Sequence, residues 1–194
     1  MKVIAIYGAS GHGKVVADIA MTNGYDEVIF IDDGNNSYLN FQEYLELYNY
    51  PIALGIGDNK IRKMLYEKIK SENLEVKTLV HCKAIVAKDV ILEEGVVIMP
   101  GVVVNTGSII GRGSILNTSS IVEHDCKIGD FVHIAPNSAL AGDVSVNDLA
   151  LVGIGSSIVQ GKTIGTNSVI GAGSVVLSDI PDKVVAYGIP AKVK

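Results

Sequence analysis

The sequence predicts two parts: an α/β N-terminal domain of Rossmann-like type over residues 1–80, then an all-β coil of stacked parallel strands over residues 81–194. Three observations carry this. Across residues 86–176 every sixth residue is Ile, Leu or Val, sixteen positions without exception. The same stretch holds 33 Ile, Leu and Val, so chance scatter would put about five or six on each phase, and sixteen on one phase is a structural repeat. Before residue 80 the six-residue phase vanishes, and short β-branched runs alternate with helical spacing.

In the N-terminal part, residues 2–7 form a β-branched run that predicts a first strand, followed by Gly8-Ala9-Ser10-Gly11-His12-Gly13. Residues 14–22 have helical spacing, with Val15, Val16, Ile19 and Ala20 on one side and Gly24 as the stop. Residues 28–31 read as a second strand ending at Asp32-Asp33, and residues 52–56 as a third. Residues 59–71 read as an amphipathic helix with Ile61, Leu65 and Ile69 on its apolar stripe and exposed lysines. The Tyr- and Asn-rich residues 35–50 carry no assignable pattern. Alternating strands and helices imply a small parallel sheet, with the domain boundary at residues 78–84.

In the second part, a period of six fits neither the 3.6 of a helix nor the simple alternation of an ordinary strand, but it fits flat parallel β segments wound into a coil. The residue two before each aliphatic is small or modest, including Ser108, Ser114, Ser120, Cys126, Ser138, Ser156, Ser168 and Ser174, so both phases point inward. Gly111, Gly129, Gly153, Gly165 and Gly171 follow their aliphatics, at corners where backbone freedom and close approach matter. This pattern resembles the hexapeptide repeat of acyltransferases built on a left-handed parallel β-helix. That resemblance implies three hexads per triangular coil, so equivalents such as Leu92, Ile110, Ile128, Val146 and Ile164 stack one above another on successive coils. The ladder then gives about five coils, roughly 24 Å tall. The left-handed winding also comes from the resemblance, since ordinary crossovers are right-handed.

Composition narrows the functions. A chain of 194 residues with 48% hydrophobic content buries an ample core, and a net charge of −5 without a Lys/Arg cluster argues against a nucleic-acid or anionic-membrane partner. Two cysteines, Cys82 and Cys126, give neither a disulfide framework nor a zinc spacing, which suits a reducing compartment. The apolar run after Lys2 is too short for a signal segment or a membrane span, so the expectation is a cytoplasmic protein with no membrane insertion.

A strand, a glycine loop and a helix together offer amide N–H groups and a helix N-terminus to a phosphate, with Asp32-Asp33 where a ribose or base partner would sit. Two other readings stand beside this one: a dinucleotide enzyme, although the spacing is not G-x-G-x-x-G, and a tight turn with no ligand. Joined to the coil, the loop resembles nucleotide-sugar N-acetyltransferases, notably the bacillosamine-pathway UDP-4-amino-sugar acetyltransferases and the related sialic acid O-acetyltransferases. The resemblance runs over Tyr7 to Gly13, Ile31-Asp32-Asp33, Gly55-Ile56-Gly57-Asp58-Asn59, Leu116-Asn117-Thr118, Glu123-His124-Asp125-Cys126 and Gly188-Ile189-Pro190-Ala191-Lys192. It implies that Ser10, Gly11, His12, Asp32, Asp33, Ile56 and Gly57 bind the nucleotide sugar and that Asn117 holds the incoming amine or sugar. It further implies acetyl-CoA as cosubstrate, met by His133, by a backbone N–H near Gly142 as donor to the thioester oxygen, and by Lys192.

Acetyl transfer to an amine needs a base and donors for the developing oxyanion. Among His12, His81, His124 and His133, the base candidate is His124, flanked by Glu123 and Asp125, either of which is placed to orient it and raise its basicity. In the family the carboxylate after the histidine has that role and is often Glu; here it is the shorter Asp125. Read without the family, Glu-His-Asp is equally a solvated turn. Cys126, on the small inward phase, reads as packing, which points to direct attack by the sugar amine. A metal site of the kind found in β-helical carbonic anhydrases needs three convergent histidines, and the spacing of His81, His124 and His133 matches that poorly, so no metal is expected.

The phase just before the inward aliphatics should face out, yet Ile85, Ile91, Val97, Val103, Ile109, Ile115 and Ile121 fill it, an apolar exterior that implies a partner. Stacking coil on coil puts Ile85, Val103, Ile121, Ala139, Ser157 and Val175 on one wall, a subunit contact in the homotrimer the resemblance implies. The leading reading is acetyl-CoA-dependent N-acetylation of a UDP-4-amino-deoxy sugar. A sugar or sialic acid O-acetyltransferase, a non-catalytic scaffold and a dehydrogenase are the alternatives.

Overall fold

The computed structural model describes residues 1–194. The N-terminal lobe holds three parallel strands, β1 (Val3–Tyr7), β2 (Glu27–Ile31) and β3 (Ile52–Leu54), in the order β2-β1-β3, with helices α1 (Gly11–Thr22), α2 (Phe41–Leu47) and α3 (Asn59–Ser71). All five residues of β1 are buried, as the central strand of a parallel sheet covered on both faces requires. Residues 35–50, unassignable from pattern, contain α2. Its seven residues are too few to display a period, and local chemistry starts it: the Asn40 side chain accepts from the Glu43 amide while the Glu43 carboxylate accepts from the Asn40 amide.

Helix α3 spans the expected residues and buries Leu65 and Ile69 of the expected stripe. Arg62 and Tyr66 are buried with them, whereas Ile61 is 47% exposed. Apolar periodicity misplaced the first turn because a charged residue, not an aliphatic, faces inward there.

The rest of the chain is a three-walled parallel β-prism. The first wall stacks Leu79–Val80, Val97–Ile98, Ile115–Leu116, His133–Ile134, Leu151–Val152 and Val169–Ile170. The second runs from Ile85–Val86 through Ile121–Val122 to Val175–Val176, and the third from Ile91–Leu92 through Lys127–Ile128 to Thr163–Ile164. Paired residues hold equivalent places on successive coils and run parallel, as in Ile115 with His133 and Ile121 with Ala139. The first wall thus has six rungs, one more coil than the ladder from Val86 implied, because Leu79–Val80 already pairs with Val97–Ile98. The prism begins at Leu79.

Each prism strand is two residues long, one pointing out and one in. The inward aliphatics from Ile98 to Val176 are buried, each contributing about 1.5–3 kcal/mol, while Val86 and Leu92 in the first coil are partly buried. The small inward phase does a second job. Ser108, Ser114, Ser138, Ser156 and Ser168 donate to corner carbonyls on the coil above, which a larger side chain would leave unpaired. The corner glycines are explained by close approach alone: a Cβ on Gly111 would lie 2.5 Å from the Gly129 carbonyl carbon. Backbone freedom is used two residues later instead, where Ser119, Asp125, Phe131, Asn137 and Asp143 all have positive φ.

The exterior apolar phase has two fates. On the first wall Val97 and Ile115 are buried, because α1 packs there and the lobe covers that wall. On the second wall Ile85 stays 68% and Ile121 38% exposed. The chain closes with Val185–Gly188 added to the first wall and Ala191–Val193 returning antiparallel, placing Lys192 opposite Tyr187. No helix is long and apolar enough to cross a membrane.

Candidate active site

Three of the sequence candidates meet at the corner between the second and third walls. His124 Nδ1 lies 2.8 Å from Asp125 Oδ2. Because the carboxylate accepts, Nδ1 carries the hydrogen and Nε2 keeps its lone pair. This hydrogen bond, followed by the charges of Asp125, Glu123 and Asp143, holds the imidazole above its ordinary pKa. Glu123 is turned away, with Asn105 Nδ2 donating to it at 2.7 Å, so Asp125 is the orienting carboxylate.

Two glycines one coil from these side chains make the room. Gly142, the equivalent of His124 on the next coil, lies against the ring: a Cβ there would stand 2.5 Å from Cε1 and Nε2. Gly107, the equivalent of Asp125 on the preceding coil, does the same for the carboxylate, with 2.5 Å to Oδ1. The Gly142 amide makes no hydrogen bond within the chain, and Gly142 itself lies against the Nε2 edge of the ring. Cys126 beside them is buried, and its thiol donates to the Ala141 carbonyl at 3.3 Å, taking the place of a serine in the interior ladder. Burial pushes that thiol up in pKa, the wrong direction for a nucleophile.

A second group surrounds a cleft of about 220 Å³ in the lobe, lined by Tyr7, Gly8, Asp32, Asp33, Gly34, Ile56, Ile61, Met64 and Leu65. The glycine loop is shaped by contact. Gly13 opens onto the Gly8 carbonyl with no space for a Cβ, and Gly8 has φ +113°. Asp32 accepts from the Ala9 and Gly34 amides and from Asn36, and the two amides depress its pKa. Asp33 accepts from Tyr7, Lys68 and the Phe41 amide, and these bonds lower its pKa although burial opposes them. Both carboxylates therefore shape the loop and the rim. Ser10 and Gly11 are exposed at the start of α1, and the exposed Ile61, which the periodicity placed on the apolar stripe, joins Met64 in an apolar floor.

The third group is the seam between lobe and first wall. His133 Nδ1 lies 3.3 Å from the Gly57 carbonyl, and its Nε2 lies 3.0 Å from Asn117 Nδ2. Donation to Gly57 and acceptance from Asn117 describe a neutral imidazole, and burial together with the Arg62 charge pushes its pKa down to about 4. The His12 ring stands 6.3 Å from the His133 ring, is likewise pushed to about 4 by burial and Arg62, and has a buried Nε2 without a partner. Arg62 was absent from the sequence candidates. Its guanidinium is fully buried and reaches both lobe and prism.

These groups do not all converge within one chain. His124, Asp125 and Gly142 occupy the corner opposite the wall that carries the lobe, whereas His12, Gly57, Asn117 and His133 lie at the lobe seam and Lys192 on the terminal hairpin. No set of three or more His, Cys, Asp or Glu side chains forms a cage for a metal ion.

Comparison with known proteins extends this geometry. Residues 3–69 match the family described as PglD N-terminal domain. The whole chain superposes on a histidine-to-alanine variant of GDP-perosamine N-acetyl transferase from Caulobacter crescentus, in complex with CoA and GDP-perosamine. The TM-score is 0.95 and the identity 35%, over 100% of this chain and 97% of that one. The acetyltransferase domain of PglB from Neisseria gonorrhoeae, in complex with acetyl coenzyme A, matches with TM-score 0.92 and 34% identity over 100% and 99% of the two chains. Among curated sequences, an acyl-[acyl-carrier-protein]–UDP-N-acetylglucosamine O-acyltransferase from Aliivibrio fischeri is 43% identical over 67 residues, 34% of this chain. The chain spans about a quarter, 26%, of that relative's length.

Proposed function

The chain belongs to the hexapeptide-repeat β-helix acyltransferases that carry a PglD-type N-terminal domain, and from that premise we propose that it transfers acetyl from acetyl-CoA to the amine of a nucleotide-linked amino sugar. The finer reading is the 4-amino group of a UDP-linked amino-deoxy sugar. The observation that carries the proposal is the corner where His124, fixed by Asp125, presents a free Nε2 beside the unpaired Gly142 amide.

In this reading the amine nitrogen attacks the thioester carbonyl carbon, and the carbonyl π electrons move onto oxygen, where the Gly142 N–H donates to the developing charge. His124 Nε2 takes the proton the amine loses. The C–S bond then breaks, and the departing sulfur takes the proton held on His124 Nε2, which gives free CoA and returns the base to its neutral form. Asp125 keeps the ring in the tautomer that accepts and offsets the positive charge it acquires. No acyl-enzyme is needed, which fits the buried Cys126. The lobe cleft holds the nucleotide, with Ser10, Gly11 and His12 toward the phosphates and Asp32, Asp33, Ile56 and Gly57 around base and ribose; Asn117 receives the sugar.

A homotrimer supplies what one chain lacks. Packing the exposed Ile85 and Ile121 wall against a neighbour brings the base corner of one copy toward the lobe seam of another. Acetyl-CoA then lies between copies, touching Gly142 on one side and His133 on the other, with Lys192 of the terminal hairpin toward its phosphates.

The test is thiol release from acetyl-CoA against UDP-4-amino sugars, GDP-4-amino sugars and sialic acid. The expected result is turnover with an amino sugar, fastest with UDP, and a His124→Ala variant slower by about a hundredfold to ten-thousandfold. Silence with every amino sugar refutes the proposal, and turnover of GDP sugars alone refutes its nucleotide.

A further inference from the structure

Arg62 is the only charged side chain in the protein that is fully buried, and no carboxylate receives it. Its six hydrogen-bond partners are five backbone carbonyls and one side-chain amide, drawn from two bodies. On the lobe, Nη1 donates to the Ile56 carbonyl at 3.2 Å and the Gly57 carbonyl at 2.9 Å, and Nη2 to Asn59 Oδ1 at 2.8 Å. On the prism, Nε donates to the Gly113 carbonyl at 2.6 Å, and Nη2 to the carbonyls of Phe131 at 3.0 Å and Val132 at 3.2 Å. Gly113 and Phe131 hold equivalent places on successive coils, so the planar fork bridges two coils at one corner.

An arginine paired with a carboxylate keeps most of its attraction when the pair shifts. One whose charge is balanced only by carbonyl dipoles on two bodies keeps it only while those bodies hold one register, because leaving a buried cation short of acceptors is costly. The lobe residues it grips are the loop beside the nucleotide cleft: Ile56 lines that cleft, and the Gly57 carbonyl is shared between Arg62 and His133. Asn59 ties the same loop a second time, donating to the Leu149 and Ala150 carbonyls at 3.0 Å each.

We infer that Arg62 is a positioning residue that sets the register of the nucleotide cleft on the prism, and with it how far a bound sugar projects toward the reacting site, without touching substrate. Its effect on turnover rests on the nucleotide-sugar reading above; its effect on the 56–57 loop does not.

The test compares the full-length protein with Arg62→Met and Arg62→Lys in two measurements. In steady-state kinetics the KM for the nucleotide sugar rises by about tenfold to a hundredfold, the weight of one or two hydrogen bonds to a charged group, and the KM for acetyl-CoA, which meets the clamp through His133, rises less. Arg62→Lys, with the charge but not the fork, falls between wild type and Met. By amide hydrogen exchange, residues 55–59 and 131–133 lose protection in both variants while the coils over residues 139–176 keep theirs. If Arg62→Met does not fold, Arg62→Lys carries both measurements. A role in stability alone predicts equal KM values and a general loss of protection; either that result or unchanged protection at residues 55–59 overturns the inference. Should the wild type turn over no amino sugar, the functional reading falls and the exchange measurement still decides the role of Arg62.

Discussion

Replacing Gly142 by alanine probes the proposed base at the His124 corner through space alone. The new Cβ would lie 2.5 Å from Cε1 and Nε2 of His124, and since ordinary contact begins near 3.4 Å, the ring must retreat by about 0.9 Å. It has somewhere to go, because the His124 side chain is 51% exposed and is anchored only through Asp125. The backbone at Gly142 lies outside the left-handed region, so alanine fits its conformation, and the loss of unfolded-state freedom is worth about 0.4–1 kcal/mol in favour of the fold. A displacement near 1 Å of a group that must meet a reacting atom costs about a hundredfold in rate, about 2.7 kcal/mol of barrier. The expected signature is a variant that melts at or above the wild-type temperature and turns over about a hundred times more slowly. Thiol release under saturating substrates, with thermal unfolding of the same preparation, checks both. Near-normal kcat in Gly142→Ala would show that His124 does not work from the place the structure gives it.

Three further expectations follow from the same geometry. The Asp125 hydrogen bond raises the His124 pKa, and a base acts only when neutral, so activity climbs as pH rises through that raised value; Asp125→Asn moves the limb to lower pH and lowers the plateau, and a limb in kcat/KM that stays put assigns it to another group. Cys126→Ser restores the residue type found elsewhere in the interior ladder and retains wild-type kcat, whereas a dead Cys126→Ser protein that remains folded would point to an acyl-cysteine route. Glutamate at both Ile85 and Ile121 puts like charges on the second wall, so light scattering should report monomers and turnover should vanish with the assembly; an unchanged mass would move the subunit contact to another wall.

Much of the architecture was legible because the prism obeys one rule at every turn. A residue that must fill a triangular interior every six positions leaves an unbroken aliphatic phase, and Val86 to Val176 shows it without help from distant contacts. Features set by contacts between distant segments were not legible. Nothing local to α3 says that position 62 faces carbonyls of Gly113 and Phe131, and an arginine on a helix ordinarily reads as solvent-facing, so the buried stripe was drawn through Ile61 instead. Backbone freedom was expected at the glycines that follow the aliphatics, yet the turn takes positive φ two residues later, on a phase where glycines such as Gly95, Gly101 and Gly107 alternate with Ser119, Asp125, Phe131 and Asn137 and so break up the signal. At the candidate site, Glu-His-Asp left the orienting carboxylate open; the geometry depends on Asn105, a coil away, which engages Glu123 and leaves His124 to Asp125.

The repeat also acts as a ruler. Beyond Ala150, the last prism residue gripped by the lobe, one more coil of three hexads would lengthen the molecule by about 4.8 Å and carry the Lys192 hairpin with it, yet leave the height of His124 above the clamp untouched. A coil inserted between Gly113 and Phe131 would separate two acceptors of a single guanidinium by the same step, beyond what its planar fork can bridge. The protein is thus measured off to a fixed span across the coil that bears His124.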